Sequence, residues 1–198
     1  MNVPQMNTPV DHATRNRNRW ALVAIAALFF GGMVVAGLLR FSGWRPAGMK
    51  NAGELLQPPV DLRGVVPALV EGGDYRWTAA PRTWRILAMT HDCDVPEKAA
   101  ACEHLLSQID TVWQLAGKDA DRVHVLWAGP LPHGGPRPAT LHNVRANDVL
   151  RDGVPRAADA SGFPVYVLDP NGFVVLRYAP GFDPSGLRKD LSRLLKVN

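Results

Sequence analysis

Residues 84–104 read WRILAMTHDCDVPEKAAACEH and contain the only two cysteines of the chain, Cys93 and Cys102. The stretch begins with a mostly apolar segment, Trp84–Thr90, which is typical of a strand buried at the centre of a sheet. Two cysteines are too few for a disulfide scaffold, so a bond between them would be local and more consistent with a function than with a structural staple. Whether the two thiols can meet therefore decides how the chain is interpreted.

A helix is predicted to follow this strand. Asp94, with Pro96 and Glu97 after it, has the form of a capped helix start. From there, one side of the helix carries mostly apolar residues at helical spacing: Cys102, Leu105, Leu106, Ile109, Val112, Trp113 and Ala116. Gly117 is a typical residue at the end of a helix.

Further strands and helices are predicted downstream. The strands are Arg122–Ala128, Phe163–Leu168 and Phe173–Tyr178. The turn Asp169-Pro-Asn-Gly172 is a strong hairpin signal between the last two strands. Residues 139–152 are expected to hold a short helix, and Asp183-Pro184 opens a closing helix whose leucines share one face. The order β-α-β-α-β-β-α predicts an α/β fold of the thioredoxin-like class.

Residues 20–39 (WALVAIAALFFGGMVVAGLL) form an uncharged apolar run that is long enough to cross a bilayer as a helix. Basic residues flank both ends: Arg15, Arg17 and Arg19 before the run, and Arg40, Arg45 and Lys50 after it. The tight cluster before the run favours a cytoplasmic N-terminus. A cleaved signal peptide, with its cleavage site at Val34-Val35-Ala36, is the alternative, although the apolar core of such a peptide is usually shorter, about 7–15 residues.

These patterns divide the chain into four parts. Residues 1–19 are predicted to form a cytoplasmic tail and residues 20–40 a transmembrane helix. Residues 41–83, which are rich in proline and glycine, are expected to form an extended arm between the membrane and the domain. Residues 84–198 are predicted to form the thioredoxin-like domain. This orientation places both cysteines outside the cytoplasm, where thiols can oxidise.

The net charge of +4 does not indicate a nucleic-acid-binding protein. Residues 1–50 carry a charge of +5, whereas residues 51–198 carry a charge of −1. The excess basic charge therefore flanks the apolar run, and the remaining part has no basic stripe for a polyanion. The sequence also lacks a glycine-rich phosphate loop, a Gly-x-Ser-x-Gly motif and a His-Glu-x-x-His motif, so no small-molecule substrate is expected.

The order of elements, the anchor, the thiol at the first strand–helix junction and the hairpin Val167-Leu-Asp-Pro-Asn-Gly172 together resemble the Sco family. Sco proteins are membrane-anchored thioredoxin-fold proteins that assist assembly of the copper centre of cytochrome c oxidase. The segments Asn51–Pro59 and Leu187–Leu195 also look like those of small bacterial membrane proteins related to Sco and linked to oxidase biogenesis. The resemblance spans residues 51–196. It implies a bacterial inner-membrane protein with a periplasmic C-terminal domain, and respiratory oxidase subunits or assembly factors as partners.

The chain departs from the Sco pattern in two places. Sco proteins bind copper through a Cys-x-x-x-Cys pair and a histidine that precedes the hairpin. Here eight residues separate Cys93 from Cys102, and the segment Ala158–Pro164 before the hairpin contains no histidine. Pro164 is also a poor match for the cis-proline that faces the thiols in thioredoxin folds, because its spacing from Asp169 is short by one residue.

Two local geometries give opposite answers for the cysteine pair. Bridged cysteines have Cα atoms about 4.4–6.8 Å apart. If a helix begins at Val95, Cys102 lies about 10 Å along it, and a bridge would require unwinding. If residues 94–101 form a loop instead, the sulfurs can meet. The helix-capping signal favours the first geometry, and the family resemblance favours the second.

Cys93, Cys102 and His91 are the candidate metal ligands, since thiolates suit Cu(I) and imidazole can complete such a site. His91 and Cys93 are two residues apart and share a side of an extended segment. His104 is expected on the polar face of the helix, and His133 and His142 are expected to be ordinary surface residues. Cys102 on an apolar helix face is equally consistent with a buried structural cysteine.

Two functional hypotheses follow. The first is an assembly factor that handles electrons or Cu(I) for an oxidase copper site, with Cys93 and Cys102 as catalytic residues and with at most thiol–disulfide oxidoreductase activity. The second is a degenerate thioredoxin-fold module that binds partner proteins and has neither redox nor metal activity. Free-thiol counting and Cu(I) uptake distinguish them.

Overall fold

The computed structural model describes residues 12–42, 51–79 and 82–196. The chain separates into two compact units, Met1–Gly48 and Met49–Asn198. Helix α1 (His12–Phe41) lies in the first unit, and its segment Asn16–Leu39 has a mean hydropathy of 2.5. At about 1.5 Å per residue, a helix of this length exceeds the roughly 30 Å of a bilayer core. Helix α1 is therefore long and apolar enough to cross a membrane, and it contains the predicted span.

The second unit is built on one six-stranded sheet with the order β1-β6-β5-β2-β3-β4. Its strands are β1 (Glu54–Asp61), β2 (Trp84–Met89), β3 (Val123–Ala128), β4 (Leu141–Val144), β5 (Val165–Leu168) and β6 (Phe173–Tyr178). Strands β2, β3 and β4 run parallel, whereas β5, β6 and β1 continue the sheet on the other side of β2 through antiparallel pairs. This topology confirms the predicted thioredoxin-like class.

One face of the sheet packs against α2 (Pro96–Gln114) and α4 (Pro184–Leu194). Alternate residues of β2, such as Ile86 and Ala88, point into this layer because side chains alternate along a strand. They meet a buried row from the two helices: Cys102, Leu105, Leu106, Ile109, Val112, Leu187 and Leu191. The predicted apolar faces of both helices are thus the faces that build this core.

The opposite face of the sheet is covered by the segment that follows β1. Tyr75 and Trp77 of this segment pack on a second set of buried side chains: Leu62, Leu87, Met89, Leu126, Ala128, Val144, Tyr166, Leu168 and Val174. Arg85 of β2 is fully buried here. Its guanidinium donates hydrogen bonds to the Tyr75 hydroxyl (3.0 Å), to the Trp77 carbonyl, and to the carbonyls of Asp169 (3.1 Å) and Pro170 (2.9 Å). Arg85 therefore ties the covering segment to the hairpin turn.

The prediction that residues 41–83 form an extended arm is wrong for the parts of this segment that the structure describes. Its residues 54–61 form β1, which pairs with β6 at the edge of the sheet. Residues 62–77 pack on the sheet rather than extending away from it. The compact unit begins at Met49, well before the first strand of the predicted domain. Residues 43–50 lie outside the described part of the chain.

Two other local predictions need correction. Residues 139–152 hold strand β4 (Leu141–Val144) before the short helix α3 (Asp148–Asp152), because the first half of this segment pairs with β3. Helix α2 has Val95 as its N-cap without a side-chain hydrogen bond. Asp94 lies in the turn before that residue, so the predicted capping by Asp94 is wrong.

The hairpin and the closing helix are confirmed in detail. The Asp169 carboxylate accepts hydrogen bonds from the backbone amides of Asn171 (3.0 Å) and Phe173 (2.8 Å), which fixes the turn between β5 and β6. The Asp183 carboxylate caps α4 by accepting from the amide of Ser185 (2.9 Å). Asp169 is therefore a turn residue, as its sequence context predicts.

Candidate thiol–disulfide site

A disulfide bond joins Cys93 to Cys102, with 5.7 Å between the two Cα atoms. Cys93 lies four residues beyond the end of β2, and Cys102 lies in the second turn of α2. Both cysteines of the chain are used in this bond, and neither is free. The two thiols can therefore meet.

Helix α2 begins at Pro96, so Cys102 lies well along it. The rise along the helix alone would predict too large a separation for a bridge, yet the bridge forms. The chain continues past β2 for six residues (Thr90–Val95) before it turns and returns as α2. Because β2 and β3 are parallel, the helix between them must run back along the sheet. Cys93 consequently lies beside the second turn of α2, and not beyond the helix end on its axis. The expectation that a helix from Val95 keeps the cysteines apart is wrong.

The turn before α2 is held by Asp92. Its φ angle of 54° lies in the left-handed region, which aspartate tolerates better than most residues. Its carbonyl accepts a hydrogen bond from the Val95 amide (3.1 Å), and its carboxylate pairs with the Lys98 ammonium group at 3.0 Å. The hydrogen bond from Lys98 lowers the pKa of Asp92. Since both side chains are exposed, water screens this ion pair, and it ties the turn to α2 only weakly.

Both cysteines are completely buried, with 0 % of each residue exposed. They lie in the apolar core under α2, where Ala88 and Trp127 belong to the same cluster. Loop 129–138 lies against the same helix turn, because the Gly134 amide donates to the Glu103 carboxylate at 3.2 Å. A reagent in solution can therefore reach the disulfide only when the turn before α2 or this loop moves.

His91, the predicted third ligand, is exposed, and its ring packs edge-on against Phe163 with 5.1 Å between ring centroids. Within the described ranges, no group of three or more His, Cys, Asp or Glu side chains is placed to hold a metal ion. The bridged sulfurs are not thiolates, so the oxidised form lacks the donors that Cu(I) prefers. The bridged state thus does not assemble the predicted site of Cys93, Cys102 and His91.

The cis-proline comparison also fails on geometry. The cis peptide bond in the described part of the chain joins Gln57 to Pro58, and the bond before Pro164 is trans. The Pro164 carbonyl accepts a hydrogen bond from the Met89 amide at 3.2 Å, which connects the start of β5 to the end of β2. Pro164 therefore links two central strands next to the site.

The other histidines that the sequence singled out divide into two groups. His104 is exposed and shares a hydrogen bond with Gln108 (3.0 Å), and His133 is exposed, both as expected. His142 is different, because it is half-buried and its ring centroid lies 4.7 Å from that of His124. The expectation that His142 is an ordinary surface residue is wrong, since the pairing of β3 with β4 places it against another imidazole.

A cleft of about 470 Å³ opens beside the end of β2. It is lined by Met89, Thr90, His91, Ala146, Arg151 and residues 157–160. Its one carboxylate, Asp159, accepts hydrogen bonds from Ser161, which lower its pKa, and from Arg177 at 2.7 Å. Sequence reasoning missed this cleft because its walls come from three segments that only the folded sheet brings together.

Residues 84–198 match the family model described as "Transmembrane-like, thioredoxin-like, C-terminal domain". The match covers more than half of the chain. The chain belongs to this family. No curated protein sequence matches the chain.

This member of the transmembrane-like, thioredoxin-like family is similar to several solved structures. BsSco, a member of the Sco family of cytochrome c oxidase assembly proteins in which a disulfide switch was identified, is 8% identical, with a TM-score of 0.52 over 74% of this chain and 98% of its own. Yeast Sco1 with copper bound is 13% identical, with a TM-score of 0.51 over 76% and 96% of the two chains. Trgpx in its apo form is 13% identical, with a TM-score of 0.50 over 69% and 95%.

Identities this low show a shared fold and nothing further. The resemblance to Sco proteins that the sequence motifs indicated is therefore confirmed at the level of the fold. The family assignment and helix α1 together indicate a single-pass membrane protein that carries one thioredoxin-like domain.

Proposed function

We propose that this protein is a membrane-anchored, Sco-like thiol–disulfide protein that assists in building the copper site of a cytochrome c oxidase. The observation that carries this proposal is the Cys93–Cys102 bridge at the junction between β2 and α2. The candidate membrane helix and the fold shared with Sco proteins support it. Cys93 and Cys102 are the proposed catalytic residues.

The bridge is the oxidised form of a two-electron couple. Two electrons and two protons from a protein dithiol open the bond between Cys93 and Cys102, and the donor becomes a disulfide. The reduced pair then attacks a client disulfide and passes the same two electrons to it through a mixed disulfide. This second exchange restores the bridge, so the protein acts as a thiol–disulfide oxidoreductase.

Cys93 is the proposed point of exchange. It lies in a turn whose neighbours, Asp92 and Asp94, are exposed, whereas Cys102 lies within a helix. Opening of the turn uncovers the Cys93 sulfur without unwinding α2. The two flanking carboxylates disfavour a thiolate on Cys93, so the reduced pair is expected to react slowly unless a partner neutralises them.

Cu(I) is the proposed cargo of the reduced form. Two thiolates match the donor preference of Cu(I), and His91, two residues before Cys93, is the proposed third donor. The segment Ala158–Pro164, where Sco proteins carry their histidine, offers none. Electron transfer needs only the two sulfurs that the fold brings together, so it is the primary proposed role.

The domain is proposed to lie in the periplasm of a bacterium, with residues 1–19 in the cytoplasm and α1 in the inner membrane. The basic residues before the apolar run support this orientation. A disulfide supports an oxidising compartment for the same domain. The proposed partners are respiratory oxidase subunits or their assembly factors.

A second candidate function is a protein-interaction module in which the bridge is structural. The complete burial of both sulfurs favours it, because buried structural cysteines are inert. In that case the bond persists in the folded protein and plays no part in electron transfer.

The test uses the full-length protein in detergent micelles. Reduced protein is mixed with a synthetic peptide disulfide, and both partners are alkylated and weighed by mass spectrometry. We expect one peptide disulfide to be lost for each Cys93–Cys102 bridge formed. The variant Cys102→Ser should stop at a mixed disulfide through Cys93, whereas Cys93→Ser should not react.

The copper branch is tested by competition with a chromogenic Cu(I) chelator. Reduced protein should retain one Cu(I), Cys93→Ser and Cys102→Ser should lose it, and His91→Ala should bind it more weakly. His104→Ala is the matched control on α2 and should behave as the parent protein does. No exchange with the peptide and no Cu(I) retention would establish the interaction module instead.

A further inference from the structure

A group of aromatic rings lies at the end of the sheet opposite the disulfide. His124 of β3 pairs with Arg85 at the start of β2, and Cys93 lies beyond the end of that strand. The strand from Arg85 to Met89 alone covers about 13 Å. The group is therefore separate from the thiol–disulfide site.

Strand pairing brings two histidines onto one face of the sheet. Leu126 of β3 lies opposite His142 of the parallel strand β4. His124 is two residues before Leu126 and so points to the same face. This face is the one that Tyr75 covers, with ring centroids 5.9 Å from His124 and 5.3 Å from His142.

We propose that His124 and His142 form a binding site for a divalent transition-metal ion of the Cu²⁺ or Zn²⁺ type. The two ring centroids are 4.7 Å apart and the ring planes are tilted by 50°. Two imidazoles on one ion, with metal–nitrogen bonds of about 2.0–2.1 Å and an angle of roughly 90–110°, have ring centres about 4.5–5.2 Å apart. The observed spacing falls in this interval, and imidazole is a good ligand for both ions.

The orientation of His124 is fixed in the manner of a metal ligand. Its Nδ1 atom shares a hydrogen bond with the Tyr75 hydroxyl (2.8 Å), which leaves Nε2 for an ion. The Tyr75 hydroxyl in turn accepts from the buried Arg85 guanidinium at 3.0 Å. Metal-binding histidines are held by such partners, and loss of the partner weakens binding. Tyr75 and Arg85 are thus positioning residues of the proposed site.

His142 is the more available ligand. Neither of its ring nitrogens has a hydrogen-bond partner in the described part of the chain. Burial lowers the pKa of both histidines, that of His124 to about 4, and so favours the neutral imidazole that a metal ion requires. The charge of Glu71 raises the pKa of His142 and favours a nearby cation, whereas the charge of Arg85 lowers the pKa of His124 and opposes one.

The donor set of this site determines its affinity for the ion. Within the described ranges, no third His, Cys, Asp or Glu side chain completes it. Water therefore fills the remaining positions, and the site is expected to bind the ion reversibly.

The test is a Cu²⁺ titration of the full-length, disulfide-bonded protein in detergent, followed by electron paramagnetic resonance. The bridged form has no free thiol to capture or reduce the ion. We expect one equivalent bound, with hyperfine structure from two nitrogens. His142→Ala and His124→Ala should each weaken binding at least tenfold, whereas His133→Ala and His104→Ala should not change it.

A second set of variants separates binding from folding. His142→Gln, at a half-buried position, keeps the size of the side chain, so a native circular dichroism spectrum with weakened binding supports the site. Tyr75→Phe keeps the aromatic ring and should weaken binding by a smaller factor. Unchanged affinity in folded His142→Gln, or loss of affinity only in His91→Ala, would overturn the proposal. Neither outcome would affect the peptide exchange by Cys93 and Cys102.

Discussion

The two ends of strand β2 are constructed in opposite ways. Beyond its carboxyl end, the Cys93–Cys102 bridge lies in apolar surroundings behind a turn that one exposed ion pair, Asp92–Lys98, connects to α2. At its amino end, Arg85 is buried among hydrogen-bond acceptors from two separate segments, the covering segment and the hairpin turn. The turn can open without stranding a buried polar group, whereas the Arg85 network cannot be disturbed without doing so. The rigid network and the proposed exchange site thus lie at different ends of the same strand.

The largest expected effect is at the rigid end. Arg85→Ala leaves the Tyr75 hydroxyl and several carbonyls without their buried donor, and we expect it to lower the free energy of unfolding by about 3 kcal/mol or more. Urea unfolding monitored by tryptophan fluorescence measures the change. Arg85→Lys, which keeps the charge but loses the fork of donors, should recover only part of it. A loss below about 1 kcal/mol for Arg85→Ala would contradict the description of this end as rigid.

Loss of the bridge should have the next largest effect. A cross-link that closes a loop of about ten residues stabilises by about 2.5–3 kcal/mol through the entropy of the unfolded chain. The double variant Cys93→Ala and Cys102→Ala should lose this amount in urea unfolding. The parent protein under reductant should lose a similar amount and the double variant none further. A protein that unfolds entirely on reduction would show that the bridge is a structural element and would favour the interaction module.

The pH dependence of stability should come from the amino end of β2. Burial, aided by His142 and Arg85, lowers the pKa of His124 from 6.5 to about 4, so the folded state resists protonation that the unfolded state accepts. The stability is therefore present above pH 6.5 and is lost as the pH falls towards 4. Because the ring is only half-buried, we expect a loss of about 1–2 kcal/mol between pH 7.5 and 5. In His124→Gln the urea midpoint should change much less over this interval, and an equal change would exclude His124 as the cause.

The smallest effect on stability should come from the ion pair at the reactive end. Lys98→Met removes the contact with Asp92 and should leave the urea midpoint unchanged, since both groups are exposed. The rate at which dithiothreitol reduces the bridge should nevertheless rise several-fold, because the turn opens more often. Lys118→Met, at an exposed position after α2, is the control. An unchanged rate in Lys98→Met would show that access to the sulfurs depends on another segment, with loop 129–138 as the next to test.

Much of the fold follows from periodicity in the sequence, but β1 does not. The strand contains Pro58 and Pro59, which argue against a central strand. An edge strand tolerates them, and the register of β1 shifts between Leu55 and Val60, where the prolines lie. The partner of β1 is β6, which is more than a hundred residues away in the chain, so no local pattern marks this strand.

The candidate site was predictable in its residues but not in its geometry. The rise along the helix predicts that Cys93 and Cys102 are far apart. This estimate leaves out the chain between β2 and α2, whose length and path cannot be read from the sequence. The histidine pair could not be predicted for a similar reason. His124 and His142 lie on different strands, and only the β3–β4 register shows that they share a face.

The proposed redox role of the Cys93–Cys102 bridge is tested most directly by an equilibrium titration in glutathione buffers, without denaturant. The titration uses the full-length protein in detergent and acid-quenched alkylation. We expect a single two-electron transition with a midpoint between about −150 and −280 mV, and a circular dichroism spectrum that stays native on both sides of it. A bridge that resists every glutathione ratio and opens only when the protein unfolds would contradict the proposed redox role.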